Sequence, residues 1–260
     1  GYEEQRAASC PVCGSKYLLG FKAGTEQIEE ALYKEFPGVR VLRMDADTTK
    51  SKESYEKILS AFADKRADIL VGTQMIVKGH DFPNVTLVGI LAADLSLHAG
   101  DYRAGERTFQ LLTQAAGRAG RGEKPGEVVI QTYQPQHHSI RFAAAQDYKG
   151  FYEEEMQYRK LMGYPPAAHM LAVLVLSEEE EAGMKLAVRL AALAGEGVRV
   201  IGPAPAAISR IGDRYRTVFY GKSSRMKDLI GIKDKMEAVL EVENSRTETV
   251  QFDFDPMNCY

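Results

Sequence analysis

Along the first half of the chain, short apolar runs alternate with stretches of helical periodicity. Residues 39–45 (VRVLRMD), 68–73 (DILVGT), 85–94 (VTLVGILAAD) and 126–133 (GEVVIQTY) are rich in Val, Ile and Leu and end at charged or turn-forming residues. Such runs predict strands buried on both faces, as in a parallel sheet. Between them, residues 25–36 and 54–64 carry apolar side chains at helical spacing, with Thr25 as N-cap and Phe36-Pro37-Gly38 as a stop. Strands alternating with helices predict a doubly wound α/β domain, a parallel sheet with helices on both faces.

The second half has a different rhythm. Residues 148–167 read as a helix closed by Pro165-Pro166, a boundary signal. A strand at 169–177, an amphipathic helix at 178–194, apolar stretches at 197–203 and 205–211, and a strand at 215–221 across a Gly212-Asp213 turn come next. A helix at 223–242 and a strand at 249–256 complete the chain. The order β-α-β-β-α-β predicts a smaller α+β domain of the split, ferredoxin-like kind. Two domains joined near residues 148–167 are expected.

Composition supports packed cores: of 260 residues, 45% are hydrophobic and 27% charged. No apolar run reaches the roughly 20 residues of a membrane span, and the chain start lacks a signal peptide's basic and apolar regions. Three cysteines make no disulfide framework, so a reducing, cytoplasmic setting is expected. The first residue is Gly, a hint that the chain is cut from something longer. Net charge is −3, yet residues 199–235 hold nine basic and three acidic side chains, a local candidate for anion binding.

Missing motifs narrow the chemistry. A phosphate loop needs G-x-x-x-x-G-K-[ST], and Gly221-Lys222-Ser223 fails because Arg216 stands where the first glycine belongs. The acidic run Glu178–Glu181 suits a helix start and not a magnesium box. Cys10-Pro11-Val12-Cys13 has zinc-knuckle spacing, but four ligands are needed and no second pair follows. Half of a metal site, a redox dithiol and unligated thiols all stay open from the residues alone.

Two stretches invite a nucleotide. Residues 72–82 (GTQMIVKGHDF) leave a strand for a polar loop, at the carboxyl end where open α/β sheets bind ligands. Residues 113–126 (TQAAGRAGRGEKPG) set Arg118 and Arg121 three apart beside Gly117, Gly120 and Gly122 at the end of a helix. Two neighbouring guanidiniums repel unless an anion lies between them, and arginine binds phosphate oxygens bidentately. In the basic segment, Arg210, Arg214, Arg216, Lys222, Arg225 and Lys227 interleave with Tyr215, Phe219 and Tyr220. Basic groups serve phosphate or acidic peptide, and aromatics can stack on bases; an inward-packed sheet face is the competing reading.

The phrase QAAGRAGR resembles the Q-x-x-G-R-x-G-R motif that closes the second RecA-like lobe of superfamily 2 helicases, and GTQMIVKGHDF resembles the conserved motif preceding it. CPVCGS, GTEQIEEAL, GTQMIVKGHDFPNVTLVG and DYRAGERTFQLLTQAAGRAGR, in this order, are similar to the primosomal replication-restart helicase family, as is a terminal acidic-apolar strand ending in DP. The resemblance implies the end of a zinc module at 1–16, a RecA-like C-terminal lobe at 17–147, a connecting helix and linker at 148–167, and an α+β DNA- or partner-binding domain at 168–260. It implies ATP and Mg2+ held mainly by a first lobe outside this chain, and Cys10 and Cys13 as two ligands of a severed Zn2+ site.

Carried over onto these positions, the resemblance implies that Arg118 and Arg121, aided by Gln114, face the γ-phosphate, with Gly79, Asp81 and Gly117 bordering the nucleotide. Gly24, Thr25, Glu26, Thr73 and Gln74 would approach single-stranded DNA, Arg214 and Arg216 forked DNA, and Arg225 the acidic tail of single-stranded DNA-binding protein. The implied function is an ATP-dependent 3′-to-5′ helicase that recognises stalled or branched forks and assembles the primosome with its other proteins. It would be nucleoid-associated, without membrane contact, and this chain alone would be inactive as an ATPase. Another superfamily 2 translocase and a non-catalytic DNA- or protein-binding module are the alternatives.

Overall fold

The structure, a computed structural model, describes residues 9, 13–14, 24–77, 82–98, 100–243 and 247–260. In chain order the elements are α1 (Thr25–Glu35), β1 (Val41–Met44), α2 (Lys52–Ala63), β2 (Ile69–Gly72), β3 (Leu87–Ile90), α3 (Ala104–Ala116), β4 (Glu127–Ile130), α4 (His138–Ala144), α5 (Tyr148–Met162), β5 (His169–Ser177), α6 (Glu180–Ala191), β6 (Arg199–Ile211), β7 (Arg214–Ser223), α7 (Met226–Glu243) and β8 (Thr249–Phe254). Short 3-10 turns cover Gln74–Val77 and Ala93–Ser96. Among the described residues, no helix is long and apolar enough to cross a membrane.

The chain forms two compact units, and their division differs from the one expected near 148–167. One unit holds residues up to Ala92 together with Gln110–Thr132; the other holds Ala93–Phe109 and Tyr133–Tyr260. Helix α3 is shared between them.

In the first unit, β1 pairs in parallel with β2, Met44 opposite Gly72, and β3 pairs in parallel with β4. Gly72 is required here, because a Cβ would stand 2.4 Å from the Met44 carbonyl oxygen. Helix α2 starts at Ser51, whose hydroxyl accepts from the Ser54 amide at 3.2 Å, satisfying one of the first-turn donors. Met44, Leu59 and Phe82 form the core, with Phe62 edge-on to Phe82 at 5.1 Å. The expected burial on both faces fails for β3 and β4. Their residues alternate exposed and half-buried, and Leu87 and Val129 are more than half exposed. A continuous apolar run cannot distinguish a sheet covered on two sides from a two-stranded ribbon burying one.

The second unit is an antiparallel sheet in the order β6-β7-β5-β8. Central β5 is almost wholly buried. Its period-2 alternation sends Leu171, Val173 and Val175 to one face with Phe219, where Leu186, Leu190, Leu229 and Met236 from α6 and α7 close over them. Leu174 and Val218 face the other way, against Ala206, Tyr220 and Tyr260. The two apolar stretches predicted at 197–203 and 205–211 are one long strand, β6, whose register against β7 shifts twice.

Residues 148–167 are packed. Helix α5 is capped by Asp147, which accepts from the Gly150 amide at 2.9 Å, and ends at Gly163 in the left-handed region. Its buried stripe is Phe151, Glu155 and Arg159. The Phe151 ring stacks on Phe109 at 4.0 Å. Arg159 donates to Glu155 and to Glu106, both at 2.8 Å, and to the Pro165 carbonyl at 3.0 Å. Glu155 also lies 2.7 Å from His138 of α4, a helix too short for its periodicity to show in the sequence.

Burial works against the Glu155 carboxylate, but the hydrogen bonds from His138 and Arg159 outweigh it and hold its pKa below the ordinary 4.5. A carboxylate depressed in this way stabilises the fold above its unfolded pKa, and the contribution is lost as pH falls through the lower folded value. Glu155→Gln is expected to cost about 3 kcal/mol at neutral pH, since it strips Arg159 of one partner in a buried network. It should also flatten the loss of stability below pH 4.5. Urea unfolding of both proteins across the acid range reads both effects.

Candidate functional site

The expected arginines sit where α3 runs out. Its last turn is followed by Gly117, whose amide still donates to the Thr113 carbonyl at 3.0 Å, while the Arg118 amide donates to Ala115 at 3.0 Å. The chain then turns at Gly120, with φ of +72°, and the Gly120 amide donates to the Val85 carbonyl at 3.0 Å just ahead of β3. A side chain at Gly122 would place its Cβ 2.2 Å from the Pro83 carbonyl oxygen. At Gly126 a Cβ would lie 2.2 Å from the Gly120 amide nitrogen. Gly120, Gly122 and Gly126 therefore let three backbone segments touch.

This corrects the reading that the glycines open space for a phosphate. They lock the turn against the start of β3, and the arginines are displayed by a backbone that has no slack. Arg118 is half-buried and Arg121 exposed. Arg121 is already engaged, its Nε donating to the Gly117 carbonyl at 2.6 Å. A guanidinium there satisfies an orphan carbonyl of the helix end and suits the negative pole of the helix dipole. Gln114 and Gly117 are exposed on the same last turns. Gly79 and Asp81 lie outside the described residues.

A second cluster gathers at the carboxyl ends of β1 and β2. Asp45, directly after β1, is 8% exposed. Its Oδ1 accepts from the Asp47 and Thr48 amides at 3.0 and 2.9 Å, and its Oδ2 from the Thr25 hydroxyl at 2.5 Å. Arg43 pairs with the same Oδ2 at 3.1 Å and reaches Glu29 and Glu26 of α1 at 3.6 and 3.8 Å. The Thr25 hydroxyl is the main cause of the lowered Asp45 pKa. The N-cap of α1 is Gly24 and not Thr25, and no side chain caps that helix start. Thr73 and Gln74 are exposed immediately after β2. Sequence reasoning missed Asp45; its signal was an acidic residue ending a strand before a Thr-Thr pair.

In the other unit, the basic hairpin is largely engaged with itself. Arg214 donates to Thr249 at 3.1 Å, and Arg216 donates to the Ile208 carbonyl at 2.9 Å. The Arg210 guanidinium covers the Tyr215 ring at 5.0 Å. Phe219 is 1% exposed in the core, so it cannot stack on a base. Arg225, just before α7, is exposed and held by Asp228 through Nε at 3.0 Å and a terminal nitrogen at 2.9 Å. Of the cysteine pair, Cys10 lies outside the described residues and Cys13 is an exposed free thiol. Among the described residues no three His, Cys, Asp or Glu side chains come together as a metal site, so they do not fit a zinc ion by themselves.

Comparison with known proteins agrees with this arrangement. Residues 15–123 match the family model of the helicase conserved C-terminal domain, and residues 160–257 that of the primosomal protein N C-terminal domain. A helicase C-terminal lobe, which implies a RecA-like fold, is thus followed by a primosomal domain. The replication restart protein PriA of Bacillus subtilis is 51% identical over 221 residues, covering 83% of this chain and 27% of its own length. Those of Synechocystis and Chlamydia pneumoniae are 46% and 38% identical, with 80% and 97% of this chain covered. The chain belongs to the PriA family of replication restart proteins. It spans about a quarter to a third of the length of these relatives.

Replacing Gly122 with Ala is expected to destabilise the first unit by about 3 kcal/mol, the cost of forcing backbone apart in a packed site. Arg121→Ala should cost under about 1 kcal/mol, as an exposed helix-end contact does. Limited proteolysis between residues 110 and 132 under mild denaturant distinguishes them: cleavage accelerates in Gly122→Ala and not in Arg121→Ala.

Proposed function

We propose that this chain supplies half of an ATP-driven 3′-to-5′ DNA motor that acts at stalled or branched forks and loads the primosome. The observation that carries the reading is the rigid turn that displays Arg118 and Arg121, in a chain that has no phosphate loop. A RecA-like lobe of this kind stabilises charge on a phosphate bound elsewhere. Arg118 and Arg121 would approach the γ-phosphate, helped by Gln114, with Gly79, Asp81 and Gly117 along the nucleotide's edge. The ATP and its Mg2+ would be held mainly by a preceding lobe, as the greater length of the relatives allows. An arginine finger contributes about 10³–10⁵ in phosphoryl-transfer rate. The Gly117 contact of Arg121 would be exchanged for phosphate oxygen as the cleft closes, coupling closure to the triphosphate.

The carboxyl ends of β1 and β2 would carry the translocating single strand. The uncapped first turn at Gly24, Thr25 and Glu26 offers backbone N–H groups to a strand phosphate. Asp45 fixes Thr25 in place, and Thr73 and Gln74 offer hydrogen bonds from the neighbouring loop. In the second unit, we read the β6-β7-β5-β8 sheet with its two helices as the ferredoxin-like domain, with Arg214 and Arg216 toward fork DNA. Arg225 would meet the acidic tail of single-stranded DNA-binding protein by exchanging its Asp228 partner for that carboxylate. Cys10 and Cys13 would give two of four thiolates to a Zn2+ site completed outside this chain. The setting would be the bacterial cytoplasm, at the nucleoid.

Two measurements test the reading. This chain alone is expected to show negligible ATP hydrolysis. With a nucleotide-binding lobe joined ahead of it, DNA-stimulated turnover should appear and fall at least about 10³-fold in Arg118→Ala. Turnover that is robust without the lobe, or indifferent to Arg118, would refute the composite site. Arg214→Ala with Arg216→Ala should weaken fork-DNA binding and reduce the slope of log K against log salt by about 2. An unchanged slope would remove the hairpin from the DNA surface.

A further inference from the structure

Helix α3 is one uninterrupted helix of 13 residues, yet its two ends have different company. Residues up to Phe109 belong with Tyr133–Tyr260, and residues from Gln110 onward belong with the unit that carries Arg118 and Arg121. The beginning of the helix is gripped unusually firmly. Arg107 donates to the Met257 carbonyl at 2.5 Å and to the Asn258 side chain at 2.8 Å, and pairs with Asp101 at 2.8 Å. Arg103 reaches the Met257 sulfur at 2.8 Å, and the Tyr102 hydroxyl donates to the Pro256 carbonyl at 3.1 Å. From the other side, Glu106 is held by Arg159 at 2.8 Å. Asp101, Tyr102, Arg103 and Arg107 thus all engage the 256–259 segment directly or through one another; Cys259 lies 4.0 Å from Asp101.

We propose that Arg107 and the 256–259 segment position the arginine turn: they clamp the start of α3, and the helix carries that constraint to Arg118 and Arg121. An α-helix of this length is stiff, about 20 Å of rod at 1.5 Å per residue. Only one residue separates its last turn from Arg118, and the glycine-locked turn beyond it has no slack to absorb a shift. Guanidinium placement matters to chemistry at the ångström level, because misplacement by about 1 Å can cost about 100-fold in rate. Arg107 is thereby a positioning residue, acting through the helix and touching no nucleotide. The 256–259 segment makes the state of the C-terminal unit felt at the other end of α3. This inference rests on the reading of Arg118 and Arg121 as γ-phosphate sensors.

Hydrogen exchange on this chain tests the mechanical step without any activity. In Arg107→Ala, amides 110–116 are expected to exchange about tenfold faster, with β5 and β7 unchanged. Arg107→Lys should fall between, and removal of residues 257–260 should match Arg107→Ala. Unaltered exchange at 110–116, or equal loosening of β5 and β7, overturns the clamp. In the chain joined to a nucleotide-binding lobe, Arg107→Ala should lower kcat about tenfold while leaving the KM for ATP in place. If Arg118→Ala halts turnover and Arg107→Ala does not change kcat, the positioning role fails alone. If Arg118→Ala has no effect, the composite site itself fails.

Discussion

The turn after α3 has room for backbone and none for a Cβ. Gly122 lies against the Pro83 carbonyl and Gly126 against the Gly120 amide, while Gly120 adopts a left-handed conformation and hydrogen-bonds to Val85. This three-way contact of main chain ties the end of α3, the start of β3 and the approach to β4 into one rigid corner. Everything that the first unit shows to a ligand depends on it. Arg118 and Arg121 leave that corner at fixed points, and the Arg121 contact to Gly117 closes the helix end.

Around the corner, the same economy recurs with polar groups. Asp45 uses both oxygens, holding its own loop with Oδ1 and the first residue of α1 with Oδ2. Arg159 uses its guanidinium to bind α3, its own helix and the Pro165 carbonyl at once. Each is a buried charge whose desolvation is offset by several hydrogen bonds, an arrangement that fixes geometry more than it adds stability. Such fixed points suit a motor whose parts must move as bodies.

How much of this was legible in the sequence depended on how local the signal was. Strand β5 was read at its true bounds because nine residues of apolar and β-branched character stand between clear boundaries. The β3 and β4 runs were recognised as strands, but their one-sided burial was not, since an apolar run does not say what covers it. Helix α4 was missed for its brevity. Glu155 and Arg159 read as a charged helix surface, because a partner such as Glu106, about fifty positions earlier, is invisible along the chain. The arginines were found through their motif, while the purpose of the glycines emerged only from distances between backbones.

The account stands on Arg118 and Arg121 sensing the third phosphate of a nucleotide held by another lobe. Its most direct test compares the affinities of the lobe-extended chain for a non-hydrolysable triphosphate and for the diphosphate. With Arg118→Ala, triphosphate affinity is expected to fall about tenfold or more, in line with the loss of a charge-assisted phosphate contact, and diphosphate affinity to stay unchanged. Equal affinities for the triphosphate in wild type and variant would contradict the account.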